Sequence, residues 1–124
     1  MTLRLGVVMD PIGSIKINKD STFAMLLEAQ ARGWTVRYME QNDLFLRDGQ
    51  TFACHSALRL FEDEHHWYEL GEAITEPLAT LDVVLMRMDP PFDMEYIYTT
   101  YLLERAEDAG VLVVNKPRSL RDAN

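Results

Sequence analysis

Four charged residues stand at or just past the ends of apolar runs, and they are the side chains best placed to do chemistry. Asp10, Arg87, Asp89 and Lys116 each lie within three residues of a proline that follows such a run. An arginine binds a carboxylate through two parallel hydrogen bonds, and an aspartate binds an ammonium group. Brought together, these four side chains could hold a small zwitterion.

The same residues can also be explained without a ligand, by their roles in ending strands and capping helices. Aspartate and proline are common at strand ends, because they interrupt ladders and cap helices. Asp93 is better explained as a helix N-cap than as a ligand. For Arg87 both explanations stay open, since a charge that ends an apolar run needs a partner, and Asp89 could be that partner. Asp10 and Lys116 stay equally open.

Other reactive residue types carry weaker signals. His65 and His66 lie close to Glu62 and Glu64, but adjacent histidines rarely converge on one ion and no HExxH spacing is present. Cys54 and His55 are neighbours in a predicted strand and should point to opposite faces, which disfavours a catalytic pair. The pattern assigns no role to Cys54, His65 or His66. Neither GxGxxG nor a Walker phosphate loop occurs, so we predict no metal or nucleotide site within the chain.

The elements that must position these residues alternate between strand and helix. Each helix has a capping residue before it and a glycine after it, and Asp48-Gly49 between two apolar runs predicts a hairpin. The predicted strands are 3–9, 34–39, 44–47, 51–54, 82–87 and 111–114, with a weak one at 67–70, and 12–19 is predicted as a loop. The helices begin after Asp20 or Ser21 and after Asp93. The predicted stripe of the second helix is Met94, Ile97, Tyr98, Tyr101, Leu102, Arg105-Ala106 and Ala109.

This order predicts one α/β domain over residues 1–124. Its sheet should be open and mostly parallel, with helices on both faces and a β-hairpin insertion. Ligands bind at the carboxyl ends of strands in such sheets, so the polar strand ends should converge on one edge.

The composition of the chain disfavours some classes of binding partner. Twelve basic and twenty acidic residues give a net charge of −8, which disfavours nucleic acid. The single cysteine, the absence of a leader pattern and the short apolar runs predict a cytoplasmic protein that does not enter membranes. The tyrosines of the second helix, Tyr98 and Tyr101 among them, also suit a surface for subunit contacts, and we expect a homo-oligomer.

Several blocks of the sequence, in this order, are those of a known family. Met9-Asp10-Pro11-Ile12, the run from Asp20 to Gln30, Arg87-Met88-Asp89-Pro90-Pro91-Phe92-Asp93 and Asn115-Lys116-Pro117 resemble the N-terminal domain of bacterial glutathione synthetases. The resemblance extends over the whole chain and is weakest between residues 52 and 76. It implies a pre-ATP-grasp, Rossmann-like fold.

The resemblance also implies an activity. In that family an ATP-dependent ligase joins γ-glutamylcysteine to glycine: Mg-ATP phosphorylates the cysteinyl carboxylate, and the amine of glycine attacks the acyl phosphate. ATP and Mg²⁺ are held by an ATP-grasp module that follows this domain. We therefore expect no cofactor, no catalytic residue and no ligase activity in residues 1–124 alone. Asp10, Arg87, Asp89 and Lys116 would face the peptide substrate.

Two other classes remain open at this stage. A receiver-like signalling domain, phosphorylated on Asp10 or Asp89, would also place acids after strands and a Lys-Pro pair after the last strand. The loop over 12–19 and the hairpin insertion argue against it, because receivers usually pass directly from the first strand into a helix. A module that only makes subunit contacts is the other class.

Overall fold

Seven strands and two α-helices make up the part of the chain that the computed structural model describes, residues 2–88 and 94–115. Short 3-10 turns at Ile12–Ser14, Gln41–Asp43 and Leu78–Thr80 join some of them. The regular elements are β1 (Arg4–Met9), α1 (Ser21–Ala31), β2 (Thr35–Met39), β3 (Leu44–Arg47), β4 (Gln50–Leu60), β5 (Tyr68–Pro77), β6 (Val83–Arg87), α2 (Met94–Asp108) and β7 (Leu112–Asn115).

The strands form a single mixed sheet. Four of them run parallel in the order β2-β1-β6-β7, and β3, β4 and β5 extend the sheet beyond β2 with antiparallel pairing. Apolar side chains of β1 alternate between the two faces, with Leu5 and Val7 in a core with α1 and Val8 in a core with α2. The predicted fold class, a mostly parallel α/β sheet with helices on both faces, is confirmed.

The ends of α1 follow the predicted signals. The Asp20 carboxylate accepts a hydrogen bond from the Phe23 amide at 2.8 Å, which satisfies one of the unpaired amides of the first turn. Gly33 then takes a φ of +82°, in the left-handed region where a side chain would be strained. These two residues mark the ends of α1, and its amino end lies at the carboxyl edge of the sheet, where Ser21 and Thr22 contact Arg87.

The middle of the chain contains more strand than the sequence predicts. β4 has eleven residues rather than four, with an irregularity between Ser56 and Leu58, and β5 has ten where a short strand at 67–70 was expected. Gln30 of α1 holds the end of β4, donating to the Leu60 carbonyl at 2.9 Å and accepting from the Leu60 amide at 2.8 Å. The insertion is therefore a three-stranded antiparallel unit rather than a simple hairpin.

The predicted apolar stripe of α2 is wrong in part. Leu102 and Ala106 are buried, but Met94, Ile97, Tyr98 and Tyr101 are exposed, each by more than half of its surface. The helix instead packs through a neighbouring line of residues, Tyr96, Thr99, Leu102, Leu103 and Ala106. Both lines have spacings of three and four, so periodicity could not choose between them. The hydrogen bond from Thr51 Oγ1 to the Leu102 carbonyl accompanies the observed orientation.

The hairpin turn offers a test of local strain. Asp48 and Gly49 both have positive φ, 50° and 79°, between the paired residues Arg47 and Gln50. We expect Gly49→Ala to lower the free energy of unfolding by about 1 kcal/mol, because an alanine is strained in the left-handed region. Asp48→Gly, which relieves strain, should not lower it. Urea denaturation measures both, and equal losses for the two variants would contradict this explanation.

Candidate functional site

A charged cleft lies at the carboxyl edge of the parallel strands. β1 ends at Met9 and β6 at Arg87, and these two residues face each other in the parallel ladder. Asp10 is the next residue after Met9, so it lies close to Arg87 at this edge of the sheet. The cleft has a volume of about 390 Å³, and its wall is made by Met9, Asp10, Ser14, Ile15, Lys16, Lys19, Asp20, Ser21, Thr22 and Arg87.

The guanidinium of Arg87 is held by the amino end of α1. Its Nε donates to Thr22 Oγ1 at 3.1 Å, and its Nη2 donates to Ser21 Oγ at 2.9 Å. Thr22 is buried and Arg87 is half-buried, so the head group has a defined place in the cleft wall. Both of these partners are neutral hydroxyls, so they orient the cation without neutralising its charge.

The segment that leads from β1 to α1 is fixed from two sides at Ile12. The Ile12 amide donates to the Tyr38 hydroxyl at 3.1 Å, and Trp67 Nε1 donates to the Ile12 carbonyl at 3.0 Å. Ser14 Oγ closes the turn on the Pro11 carbonyl at 2.7 Å. The predicted loop thus begins with a 3-10 turn, and one wall of the cleft is anchored to β2 and to the residue preceding β5.

A smaller cleft, of about 160 Å³, lies on the other side of Asp10. It is lined in part by Glu40 and Gln41, which follow β2, and Tyr38 donates a short hydrogen bond to Glu40. Burial, reinforced by this bond, raises the pKa of the Tyr38 hydroxyl far above its usual value. Tyr38 therefore acts as a neutral strut between β2 and Ile12, and Asp10 lies between two clefts.

The structure brings together two of the four predicted site residues. Asp10 is exposed at the cleft mouth and Arg87 forms part of the wall, whereas Asp89 and Lys116, like Asp93, lie outside the described residues. Sequence reasoning did not find Ser21 and Thr22 as the partners of Arg87, nor Lys16 and Lys19 as cleft residues. A serine-threonine pair after an N-cap aspartate was the available signal, but its partner is 65 residues away.

The weaker candidates stay apart from the cleft. His65 and His66 are exposed on the turn before β5, and Cys54 is half-buried on β4. Over residues 2–88 and 94–115, no three His, Cys, Asp or Glu side chains are grouped so that they could hold a metal ion. In the same ranges, neither α-helix is long and apolar enough to cross a membrane.

A second polar cluster lies on the α2 face of the sheet, away from the cleft. His55 is fully buried there. Its Nδ1 accepts from Arg37 Nε at 2.8 Å, so the ring proton must be on Nε2, which lies 3.0 Å from Glu76 Oε1. Arg4 Nη2 donates to the same Glu76 oxygen at 2.8 Å. The cluster joins β1, β2, β4 and β5, where the antiparallel strands meet the parallel ones.

Protonation of this cluster is biased by its surroundings. Burial, aided by the charge of Arg37, lowers the pKa of His55 below its usual value despite the attraction of Glu76. Burial, the largest single cause, raises the pKa of Glu76, but the hydrogen bonds from Arg4 and Thr80 and the charge of Arg4 together outweigh it, and the net shift is downward. The folded chain therefore favours a neutral imidazole next to an ionised carboxylate. Sequence reasoning missed this cluster, since its members are distant in the chain.

The open α/β sheet with a charged cleft at its carboxyl edge defines a Rossmann-like α/β domain. Residues 3–121 match the family described as "Prokaryotic glutathione synthetase, N-terminal domain", and the chain belongs to that family. It is 61% identical to a glutathione synthetase of Pseudomonas putida and 60% identical to one of Vibrio vulnificus, in both cases over all of its 124 residues. These matches give no support to a receiver domain.

The relatives are much longer than this chain. The aligned 124 residues make up 39% of the Pseudomonas putida protein and 39% of the Vibrio vulnificus protein. A glutathione synthetase of Pseudomonas syringae pv. tomato, 61% identical, is matched over the same share of its length. The chain thus spans about two fifths of the curated relatives that it matches.

Proposed function

We propose that this chain is the peptide-binding N-terminal part of an ATP-dependent ligase that joins γ-glutamylcysteine to glycine to make glutathione. Family membership and the names of the relatives support the reaction. The observation that carries the role of this domain is the fixed Arg87 guanidinium beside Asp10 at the edge of the sheet. A charged pair of this kind complements the ammonium and carboxylate groups of a small peptide.

Within the cleft, the proposed roles follow from charge. Arg87 would bind a carboxylate of γ-glutamylcysteine, and Asp10 would bind its ammonium group. The side chains of Lys16 and Lys19 add positive charge, while Asp20 is engaged in capping α1. The cleft wall therefore carries three basic and two acidic side chains, which suits a peptide with more carboxylates than amines.

Asp89 and Lys116 remain part of the same proposal. Both follow strands whose carboxyl ends lie at this edge, since β6 and β7 pair in parallel with their neighbours. We propose that they complete the peptide site. No residue of this chain is proposed to be catalytic.

ATP and Mg²⁺ do not fit the described residues. The cleft wall has no glycine-rich phosphate loop, and no metal-ligating group of three occurs in 2–88 or 94–115. We propose that an ATP-grasp module of the longer protein holds both. The same proposal places the protein in the cytoplasm as a homo-oligomer. It also implies that residues 1–124 alone form no glutathione.

Product formation tests the proposal. The full-length protein, incubated with γ-glutamylcysteine, glycine and Mg-ATP, should form glutathione with one ADP per peptide bond. Omission of glycine should stop product formation, and residues 1–124 alone should give none above the uncatalysed level. Chromatography of thiol products and of ADP measures both. A full-length protein that hydrolyses ATP without forming the tripeptide would contradict the proposed reaction.

A further inference from the structure

An apolar groove remains open on the face of the sheet that carries α1. Its volume is about 650 Å³, and its floor is formed by side chains of three parallel strands, among them Leu5, Val83, Leu85 and Leu112. One wall is the outer side of α1, which contributes Met25. This groove is distinct from the charged cleft, because it lies toward the amino ends of the same strands.

The groove is open because no element within residues 2–88 and 94–115 covers one face of β7. Val111 and Val113 pack into the core beneath α2, whereas Leu112 and Val114 point the other way and are 59% and 40% exposed. On that face α1 packs against β1 and β2 and does not reach β7. Parallel strands are normally covered on both faces. An apolar floor of this size is therefore unfinished in this part of the protein.

We propose that the groove is filled by the polypeptide that follows residue 124 in the full-length protein, packed as an amphipathic helix beside α1. This inference rests on the proposed function only in that the chain continues into a longer synthetase. The relatives are long enough to contain such a segment, since this chain spans only 39% of the length of the Pseudomonas putida protein. β7, the last described strand, lines the groove through Leu112 and ends at Asn115 on the carboxyl edge of the sheet, so the proposed occupant would run back along β7 to reach the groove.

The length of the groove and the charges on its rim indicate what kind of segment fits it. The five residues of β6 span about 17 Å, and a helix of about eleven residues has that length. The rim is polar, with a Glu28–Arg32 ion pair at 2.9 Å on the exposed side of α1. The occupant should therefore present one apolar stripe to the floor and polar residues to the rim.

Tethering favours this occupant over a second copy of the chain. A segment of the same polypeptide is held near the groove at an effective concentration in the millimolar range. A second copy has to reach the groove at its solution concentration. The exposed stripe of α2 does not compete for the groove, because it lies on the opposite side of the sheet.

Thiol labelling of the full-length protein tests this inference. Leu112→Cys, which lines the groove, and Val114→Cys, on the same exposed face of β7, are together called the groove positions; each is reacted with an alkylating reagent, and the modified peptides are identified by mass spectrometry. Leu70→Cys on β5, which is 45% exposed and outside the groove, is the matched control. Relative to the same protein in urea, we expect the two groove positions to react slower by a factor on the order of ten or more, and Leu70→Cys by much less.

Two results would overturn the inference. One is labelling of both groove positions as fast as Leu70→Cys. The other is protection that disappears when the protein is diluted until it is monomeric, which would assign the groove to a second copy. Labelling needs no substrate, so it separates the two proposals. A protein that protects Leu112→Cys but makes no glutathione fails only the proposed reaction, and an active synthetase with an open groove fails only this inference.

Discussion

Arg87→Met in the full-length protein should raise the KM for γ-glutamylcysteine about 100-fold, with little change in the KM for ATP or glycine. The variant removes a half-buried guanidinium that Ser21 and Thr22 hold at the cleft. Loss of one partner of a hydrogen-bonded charge pair costs about 2–5 kcal/mol, and each 1.4 kcal/mol is a factor of ten. Steady-state kinetics with each substrate varied in turn measures the effect.

Conservative and remote variants complete this test. Arg87→Lys keeps the charge but loses the planar fork, so we expect a KM increase of about tenfold. Arg47→Met is the control, because Arg47 is an exposed arginine of β3 that stacks on Phe45 and Phe52 away from the cleft. It should alter the KM less than twofold. An unchanged KM for the peptide in Arg87→Met would remove Arg87 from the proposed site.

The hydroxyls that hold Arg87 can be tested in the same assay. A Ser21→Ala, Thr22→Val double variant leaves the guanidinium in place but removes both of its acceptors. We expect a smaller rise in the KM for the peptide than in Arg87→Met, and no further loss when the two changes are combined. Strictly additive effects would indicate that the hydroxyls act independently of Arg87.

His55→Ala should cause the largest loss of stability among the variants considered for this domain, about 3 kcal/mol in the free energy of unfolding. The change leaves a cavity in the sheet and leaves the Arg37 and Glu76 head groups without their shared partner. Urea denaturation at pH 7.5 measures it. His65→Ala is the matched control, because His65 is exposed on a turn and its loss should cost less than about 0.5 kcal/mol.

The same histidine gives the stability a predictable dependence on pH. Its pKa is lowered by folding from 6.5, so below that pH the unfolded chain binds a proton that the folded chain does not. Stability is therefore full above pH 6.5 and falls as the pH decreases, by at most about 1.4 kcal/mol per unit for this group. Glu76, whose pKa is also lowered, adds a loss of the same sign below pH 4.5.

A variant whose side chain cannot be protonated in this range separates the pH dependence of stability from the loss of packing. His55→Asn retains an acceptor for Arg37 but has no proton to gain in this range. We expect it to be less stable than the natural chain at pH 7.5, and to lose less stability between pH 7.5 and 5.5. If both proteins had the same pH dependence in that range, His55 would not be the titrating group.

Local signals in the sequence predicted most of the elements correctly. Asp20, Gly33 and the Asp48-Gly49 pair act through their own backbone or through residues a few positions away, so their effects are visible in the sequence alone. β5 was underestimated because it is an edge strand exposed over most of its length, and it lacks the apolar alternation that identifies a half-buried strand. Its conformation comes from pairing with β4.

Some residues of the candidate site could also be found from the sequence, and others only from the structure. Proline-broken strand ends identified Asp10 and Arg87, since the rule that parallel strands end at one edge requires no tertiary information. The sequence blocks around these residues occur in the same order as in the family, and they also indicated the domain family to which the chain belongs. Ser21 and Thr22 could not be assigned to Arg87, because α1 had to be placed on the sheet first.

By itself, the sequence determined the fold class, the edge of the sheet at which the polar strand ends meet, two charges at that edge and the family. The fold class and the edge follow from periodicity, capping and turn chemistry, which act over a few residues, whereas the family follows from the resemblance of whole sequence blocks. Only the tertiary structure decided which line of α2 is buried, what holds Arg87, how His55 joins four strands and which face of β7 is left open. Each of these depends on contacts between residues far apart in the chain, where several arrangements satisfy the local pattern and packing selects one.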